Sequence, residues 1–393
     1  MEAIFQREDI AAGRRVERFT HTHDKDWGYT GEDHTYTFAI VHPLNEEEGK
    51  SYPMVLALHF SGCGLDAAVA STYEPNCQDL FKHAEECYMV IPDNNDATWE
   101  DSWWGGIDPN DSEEQIPDWK RGTSTNQCEN RIMGTFMWAV EKYKADRNRL
   151  YCIGVSMGGN AALANAIPRG DLFAAVKVAV PAGVRRMAER CDFYGKTDFK
   201  MPDPPVLVEY SAQNDAWSNG HGLLYEGARK KALPLISYGG NFGHDCSDER
   251  IPVINDLINT FDIYSLKKNE AYPVFMNSTS DDPNPWENDT EEIKSKSGQM
   301  NAYFRWKVIT DTDNKFEIEL RMVTSDEIGT KFCVPESANA DIILRRLQNF
   351  KPVKESIEFS YGDEIGNATL KDGLIHIDCL TITNKPQILK IKI

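Results

Sequence analysis

No stretch of this sequence approaches the roughly 20 consecutive apolar residues that a membrane-spanning helix requires, so no membrane span is expected. The opening residues, Met1-Glu2-Ala3-Ile4-Phe5-Gln6-Arg7-Glu8-Asp9, lack the apolar core of a secretory leader. On that ground the chain reads either as cytoplasmic or as the mature part of an exported protein. Positive charge is in short supply. Lys and Arg number 42 against 62 Asp and Glu, a formal net charge of -20. A field of that sign repels phosphate backbones and excludes nucleic acid as an expected partner. Spread over a solvated surface, it keeps a protein soluble. CxxC pairs and Cys/His ligand spacings are absent, which removes structural zinc from consideration. Internal repeats and low-complexity tracts are absent too.

What is present suits a globular chain. With 393 residues, 41% hydrophobic and 26% charged, one large domain and a smaller one are expected. There are nine cysteines, an odd number, so at least one stands outside any pairing within the chain. Cys63, Cys77, Cys128, Cys191 and Cys246 lie in or beside loop-like sequence, which makes them candidates for disulfides. Cys87 and Cys152 sit on or beside apolar strands and read as core thiols.

Two rhythms divide the chain. From about residue 35 to 265, short apolar runs begin at Thr35, Met54, Tyr88, Leu150, Ala174, Pro205 and Pro234. Helical stretches at Asn130 to Tyr143 and Gly159 to Ala166 fall between them. Such runs suit strands of a mostly parallel sheet buried on both faces, and the alternation predicts a doubly wound α/β domain. From about residue 297 the period changes to two. The segments 302–309, 315–323, 356–361, 374–378 and 389–393 alternate apolar with polar residues. Turn signals at Asp313-Asn314 and Lys371-Asp372-Gly373 separate them. That pattern predicts a small antiparallel β-sandwich-like domain. Between the blocks, Asn277 to Pro285 is polar and broken by proline. The expected division is a catalytic domain at 1–270 that includes N-terminal strands, a linker at 271–298 and a β domain at 299–393.

The sharpest local signal is Gly154-Val155-Ser156-Met157-Gly158-Gly159. An apolar strand precedes it and a helix former, Asn160 to Ala166, follows it. This is the context of a nucleophile elbow, where a tight turn lifts a serine hydroxyl above the sheet at a helix N-terminus. A serine needs a base, and the base needs an orienting carboxylate. In this topology they follow in the order Ser, acid, His. Asp215 follows the strand ending at Tyr210, at the carboxyl end where open α/β sheets place their sites. His244 lies on the glycine-rich loop Gly239-Gly240-Asn241-Phe242-Gly243-His244 after the next strand. Glu209 and Asp245 are rival acids and His221 is a rival base. An oxyanion hole needs backbone N–H donors. Met157 supplies one, and the loop His59-Phe60-Ser61-Gly62-Cys63-Gly64 supplies the other, with Ser61 ahead of Cys63. Trp103, Trp104 and Trp217 stand in loops near strand ends and are candidates to line a substrate cleft.

Three segments in this order, Leu58 to Gly64, Gly154 to Gly159 and Phe242-Gly243-His244, resemble the esterase and depolymerase branch of α/β-hydrolases. That branch includes polyhydroxybutyrate depolymerase-like enzymes, feruloyl esterases and acetylxylan esterases. The lead-in Asp146-Arg147-Asn148-Arg149-Leu150-Tyr151 is similar to that branch's D-x-x-R-x-Y pattern. The resemblance covers about residues 35 to 265. It departs at His59-Phe60, where the branch has His-Gly, and that leaves the second oxyanion donor open. It implies an α/β-hydrolase fold and a serine carboxylic ester hydrolase that uses Ser156, His244 and Asp215 through an acyl-enzyme. It implies no metal and no organic cofactor. The substrate class it implies is acetyl or feruloyl esters on plant cell-wall polysaccharide. It also implies a secreted or periplasmic location.

The competing readings are a serine peptidase of the same fold and a carbohydrate-binding protein with a degenerate hydrolase domain. In the β block, Tyr303 and Trp306 are the main aromatic candidates for stacking on a sugar, and they fall on opposite faces of a straight strand. A structural, docked role is expected for this block.

Overall fold

The computed structural model describes residues 2–22, 35–73, 84–94, 103, 125–195, 201–217, 220–246, 255–282, 298–328 and 334–392. An N-terminal hairpin, β1 (Ile4–Ala11) and β2 (Arg14–Thr22), opens the first sheet. β3 (Thr35–Val41), β4 (Met54–Leu58), β5 (Tyr88–Pro92), β6 (Leu150–Val155), β7 (Ala175–Ala179), β8 (Val206–Ala212) and β9 (Leu235–Gly240) follow. The chain then gives β10 (Tyr272–Met276) to a second sheet and returns with β11 (Gly298–Met300) to pair antiparallel with β9. The order of this ten-stranded sheet is β1-β2-β3-β5-β4-β6-β7-β8-β9-β11. Pairing is parallel from β5 across to β9 and antiparallel at both margins. β4 to β9 are buried along their whole length, as their unbroken apolar runs require.

Each face of the sheet has its own cover. One packs on α2 (Gln127–Lys142), α3 (Met157–Ala166), α4 (Arg185–Arg190) and α5 (His221–Lys231), through residues such as Phe136, Leu163, Met187 and Leu224. The other packs on α1 (Leu65–Ala70), on the segment Leu257 to Ile263 and on the second sheet, in one continuous apolar cluster.

The second sheet adds β12 (Phe304–Thr312), β13 (Lys315–Met322), β14 (Ser337–Arg345), β15 (Ser356–Tyr361), β16 (Glu364–Lys371), β17 (Leu374–Thr383) and β18 (Gln387–Lys392). Its order is β10-β14-β17-β16-β15-β18-β13-β12, antiparallel throughout. The expected sandwich of two sheets is therefore corrected to one curled sheet. Its two edge strands meet through Phe275 of β10 and Phe304 of β12, whose rings stack at 4.3 Å. Alternation in sequence marks an inward face, but the same pattern serves whether a second sheet or the curled sheet itself fills the interior.

The division of the chain also differs from the expected one. β10 lies within the stretch read as a linker yet belongs to the second sheet, while β11 belongs to the first. Residues 283–297 lie outside the described residues. Hydrogen bonds join the two sheets at the amino ends of the parallel strands. Arg346 donates from Nη2 to the carbonyls of Gly170, Phe173 and Asp203, at 2.5, 3.0 and 3.1 Å. Arg345 Nε reaches Asp203 Oδ1 at 2.9 Å, and the Tyr272 hydroxyl donates to Pro204 O at 2.5 Å.

The disulfide expectation is corrected for Cys63, Cys128, Cys191 and Cys246, all of which carry thiols. Each is held by its own neighbourhood. Cys128 Sγ accepts from Arg131 Nη2 at 3.4 Å, and Cys191 is buried in the helix-covered face, where burial pushes its thiol up to about 12. Cys77 lies outside the described residues. Cys87 and Cys152 are buried thiols, as read from the sequence.

Candidate active site

β6 carries the elbow. Its last residue is Val155, and Ser156 turns into α3 with φ 55° and ψ -119°, a conformation that L-residues rarely adopt. Backbone bonds on three sides hold that strain. Ser156 N donates to Ala179 O at 3.0 Å, and its carbonyl accepts from Asn160 N and Ala182 N, both at 3.0 Å. The flanking glycines are required by contact. A Cβ on Gly154 would stand 2.1 Å from Gly158 O, and one on Gly158 would stand 2.0 Å from Leu58 O. The second contact shows that the elbow sits against the end of β4, where the loop with Ser61 begins.

The three sequence-predicted side chains meet. His244 Nε2 lies 2.7 Å from Ser156 Oγ, and His244 Nδ1 lies 2.7 Å from Asp215 Oδ2. Ser156 is 8% exposed and Asp215 5%, while the His244 side chain keeps 32% of its surface. The acid is thus withdrawn from water and the base remains reachable. Asp215 uses its other oxygen to accept from Trp217 N at 2.8 Å, which fixes the carboxylate plane toward the imidazole. Asn214 Oδ1 accepts from Gly243 N at 2.8 Å and ties the histidine loop to the acid loop. Asn214 was missed in the sequence reading; its place directly before the acid is the signal that could have found it.

The rivals resolve against one another. Glu209 is fully buried in β8 and takes hydrogen bonds from the Ser211 and Tyr225 hydroxyls. His221 Nε2 stands 3.2 Å from Glu209 Oε1 at the start of α5. The rival acid and rival base therefore pair with each other in the core. Asp245 follows His244 in the chain, and the imidazole contact goes to Asp215 instead.

For the oxyanion, Met157 opens α3, so its amide has no carbonyl four residues back within the helix. Cys63 is corrected as the second donor because its N–H is already given to Phe60 O at 3.2 Å. Ser61 is exposed in the same loop. Beneath that loop, His59 is fully buried. Its Nδ1 lies 2.8 Å from Phe60 O, and its Nε2 accepts from Asn94 N at 3.3 Å. His59 braces the loop, and its position before Phe60 was its only sequence mark.

The tryptophans separate. Trp217 is 37% exposed beside Asp215. Trp103 is corrected. It is 2% exposed, its ring packs 4.4 Å from that of His59, and its backbone N–H donates to Asn94 Oδ1 at 3.1 Å. It supports the loop that carries Ser61 through His59, because an indole of that size beside a buried imidazole contributes most as packing. Trp104 lies outside the described residues. The lead-in to β6 is a brace as well. Arg149 Nε reaches Asp146 Oδ2 at 2.7 Å, and the Tyr151 hydroxyl binds the carbonyls of Tyr264 and Leu266, both at 2.7 Å. No group of three or more potential metal ligands occurs among the described residues, and none of their helices is long and apolar enough to cross a membrane.

No protein-family model and no curated protein matches the chain. Among solved structures it is similar to a CE1 ferulic acid esterase from Anaeromyces mucronatus in complex with ferulic acid, at 17% identity and a TM-score of 0.42, over 66% of this chain and 93% of that one. It is similar to an S-formylglutathione hydrolase from Agrobacterium tumefaciens at 16% identity and a TM-score of 0.42, over 62% and 93%. It is also similar to an acetyl xylan esterase from Aspergillus awamori at 17% identity and a TM-score of 0.34, over 49% and 74%.

Proposed function

We propose that this chain is a serine carboxylic ester hydrolase of the α/β-hydrolase type. The single observation that carries the reading is the relay Ser156–His244–Asp215, with both hydrogen bonds at 2.7 Å and the serine in a left-handed elbow. His244 Nε2 takes the hydroxyl proton as Ser156 Oγ attacks the ester carbonyl. Asp215 holds Nδ1–H and stabilises the imidazolium that forms. The oxyanion is met by the Met157 amide, and the Ser61 amide completes the hole. His244 returns the proton to the leaving alcohol. It then activates a water that attacks the acyl-enzyme, and Ser156 is released. The proposed substrates are acetyl or feruloyl groups on plant cell-wall polysaccharide, with Trp217 beside the acid as an apolar platform. A secreted or periplasmic location belongs to the same proposal.

The test is hydrolysis of 4-nitrophenyl acetate, followed by a panel of acetylated and feruloylated xylans. The intact protein turns over the small ester. Ser156→Ala lowers turnover by roughly 10⁴- to 10⁶-fold with an unchanged melting temperature. Retention of most activity in that variant removes Ser156 from the mechanism, and a silent xylan panel removes the polysaccharide assignment alone.

A further inference from the structure

Away from the triad, the seam between the β12–β13 hairpin and the segment that carries Thr260 holds a cleft of about 290 Å³, lined by Thr260, Arg305, Trp306, Glu319, Arg321, Val323 and Glu327. None of these residues belongs to the loops that carry Ser156, Asp215 or His244. The segment with Thr260 packs back toward the amino ends of the parallel strands, where Tyr151 binds Tyr264 O. The cleft exists because that segment and the β12–β13 hairpin face each other.

Its charges are largely committed. Arg305 donates to Ala302 O, Phe304 O, Leu257 O and Thr260 Oγ1, at 2.7, 2.8, 3.2 and 2.8 Å, so it builds the wall. Arg321 meets Glu327 through two contacts, at 3.0 and 2.8 Å. Glu319 keeps an open carboxylate, with Lys307 opposite it in the strand register. Two guanidiniums against two carboxylates make the lining neutral. A phosphate or carboxylate ligand would find both arginines engaged and Glu319 repelling it. A bare cation would meet the arginine wall. Trp306 is half-buried, with its ring 5.2 Å from that of Phe261, and it adds an apolar surface to this set of donors and acceptors. Neutral charge, mixed donors and acceptors, and an indole recognise a neutral, hydroxyl-rich ring. The volume lies at the small end of ligand pockets, roughly 300 Å³ and above, and suits a sugar unit or two.

We infer that this seam cleft is a saccharide subsite, with Glu319 accepting sugar hydroxyls and Trp306 offering its apolar surface to the ring. The recognition chemistry stands on the cleft itself; only the choice of xylan as the first polymer rests on the esterase reading. The subsite would hold a polysaccharide chain at a distance from the triad, a role that the docked second sheet can serve because it forms one wall.

The experiment is calorimetric titration of the full-length protein with xylohexaose, cellohexaose and mannohexaose, with inorganic phosphate as the anionic control. At least one neutral oligosaccharide binds. Glu319→Ala weakens that binding about tenfold or more, as loss of a hydrogen bond to a charged acceptor does. Trp306→Phe, which keeps an aromatic ring against Phe261, weakens it as well. Turnover of 4-nitrophenyl acetate is unchanged in both variants. Absence of oligosaccharide binding, binding indifferent to both substitutions, or phosphate binding that strengthens in Glu319→Ala overturns the inference. Failure of the intact protein to hydrolyse the small ester, with saccharide binding and its sensitivity to Glu319 retained, overturns the esterase reading and leaves the subsite standing.

Discussion

The two sheets hold their cores in different ways. In β4 to β9 every residue of each strand is buried, whereas β13 alternates a buried inner face with a partly exposed outer one. A sheet covered on both faces has no room for working polar groups along its strands, so they collect where the chain leaves the carboxyl ends. Ser156, Asp215 and His244 all stand there. Glu209 shows the alternative, a carboxylate inside a strand that must be satisfied by Ser211, Tyr225 and His221. The second sheet carries charge freely on its outer face, and the polar residues that tie it to the first sheet are those at the dock, Arg345 and Arg346. Change at the ends of the first sheet should therefore alter rate, and change at the dock should alter stability.

The largest effect on that contrast comes from exchanging carboxylates. Asp215→Asn should lower ester turnover about 10⁴-fold at neutral pH, because the amide holds the imidazole in the wrong tautomer. Glu209→Gln should leave kcat within about tenfold and instead lower the melting temperature, since it disturbs a buried network without touching His244. Steady-state kinetics and thermal melts on both variants decide it. The reverse pattern would place the acid on Glu209.

Next comes the dock. Arg346→Ala leaves the carbonyls of Gly170, Phe173 and Asp203 without their buried donor. Roughly 3 kcal/mol of stability should go, with turnover of a small ester at low temperature unchanged. A scanning calorimeter reads this, and an unaltered melt would show that the three Arg346 bonds add nothing to the hold between the sheets. A related expectation concerns the proline-broken stretch between β10 and β11. Proteolysis within 283–297 should give two fragments that co-elute, because the pieces on either side of the cut each carry strands of the second sheet. Separation of a free hydrolase fragment on size exclusion would restore the simple division of the chain at that stretch.

The parallel strands were legible because each is a short apolar run between breakers, and the elbow because its glycines are forced by backbone contacts that no side chain can share. Asp215 and His244 were legible from chain order after two successive strands. The rest failed for identifiable reasons. β14 opens Ser337-Ala338-Asn339-Ala340-Asp341, small and polar residues that mark no face until Ile342. β16, Glu364-Ile365-Gly366-Asn367-Ala368-Thr369-Leu370-Lys371, has its apolar Ile365 turned to solvent, 73% exposed. β10 was hidden by the polar stretch after it, since composition cannot tell to which sheet a lone strand belongs. Trp103 and His59 were misjudged or overlooked because burial under a loop leaves no periodicity to read.

The smallest expected effect lies in the same connection. Asp281 follows β10, and its Oδ1 accepts from Asn301 N at 2.8 Å. Burial raises its pKa to about 6, against the lowering influence of that amide bond and of Arg229. A carboxyl raised in the folded state takes up its proton more readily folded than unfolded. Below the unfolded value near 4 both states are protonated and the group is neutral to stability. As pH rises from about 4 to 6 the folded state alone retains the proton, so stability falls across that window and is flat above it. Because Asp281 keeps part of its surface in water, the loss should be about 1–2 kcal/mol, less than the full shift implies. Asp281→Asn keeps an acceptor for the Asn301 amide and removes the charge. It should raise the melting temperature at pH 8 and abolish the decline between pH 4 and 6, with ester turnover unchanged. Denaturant melts at pH 4, 6 and 8 on both proteins check it. A variant less stable at pH 8, or one that keeps the decline, would show that the Asp281 charge is welcome where it stands.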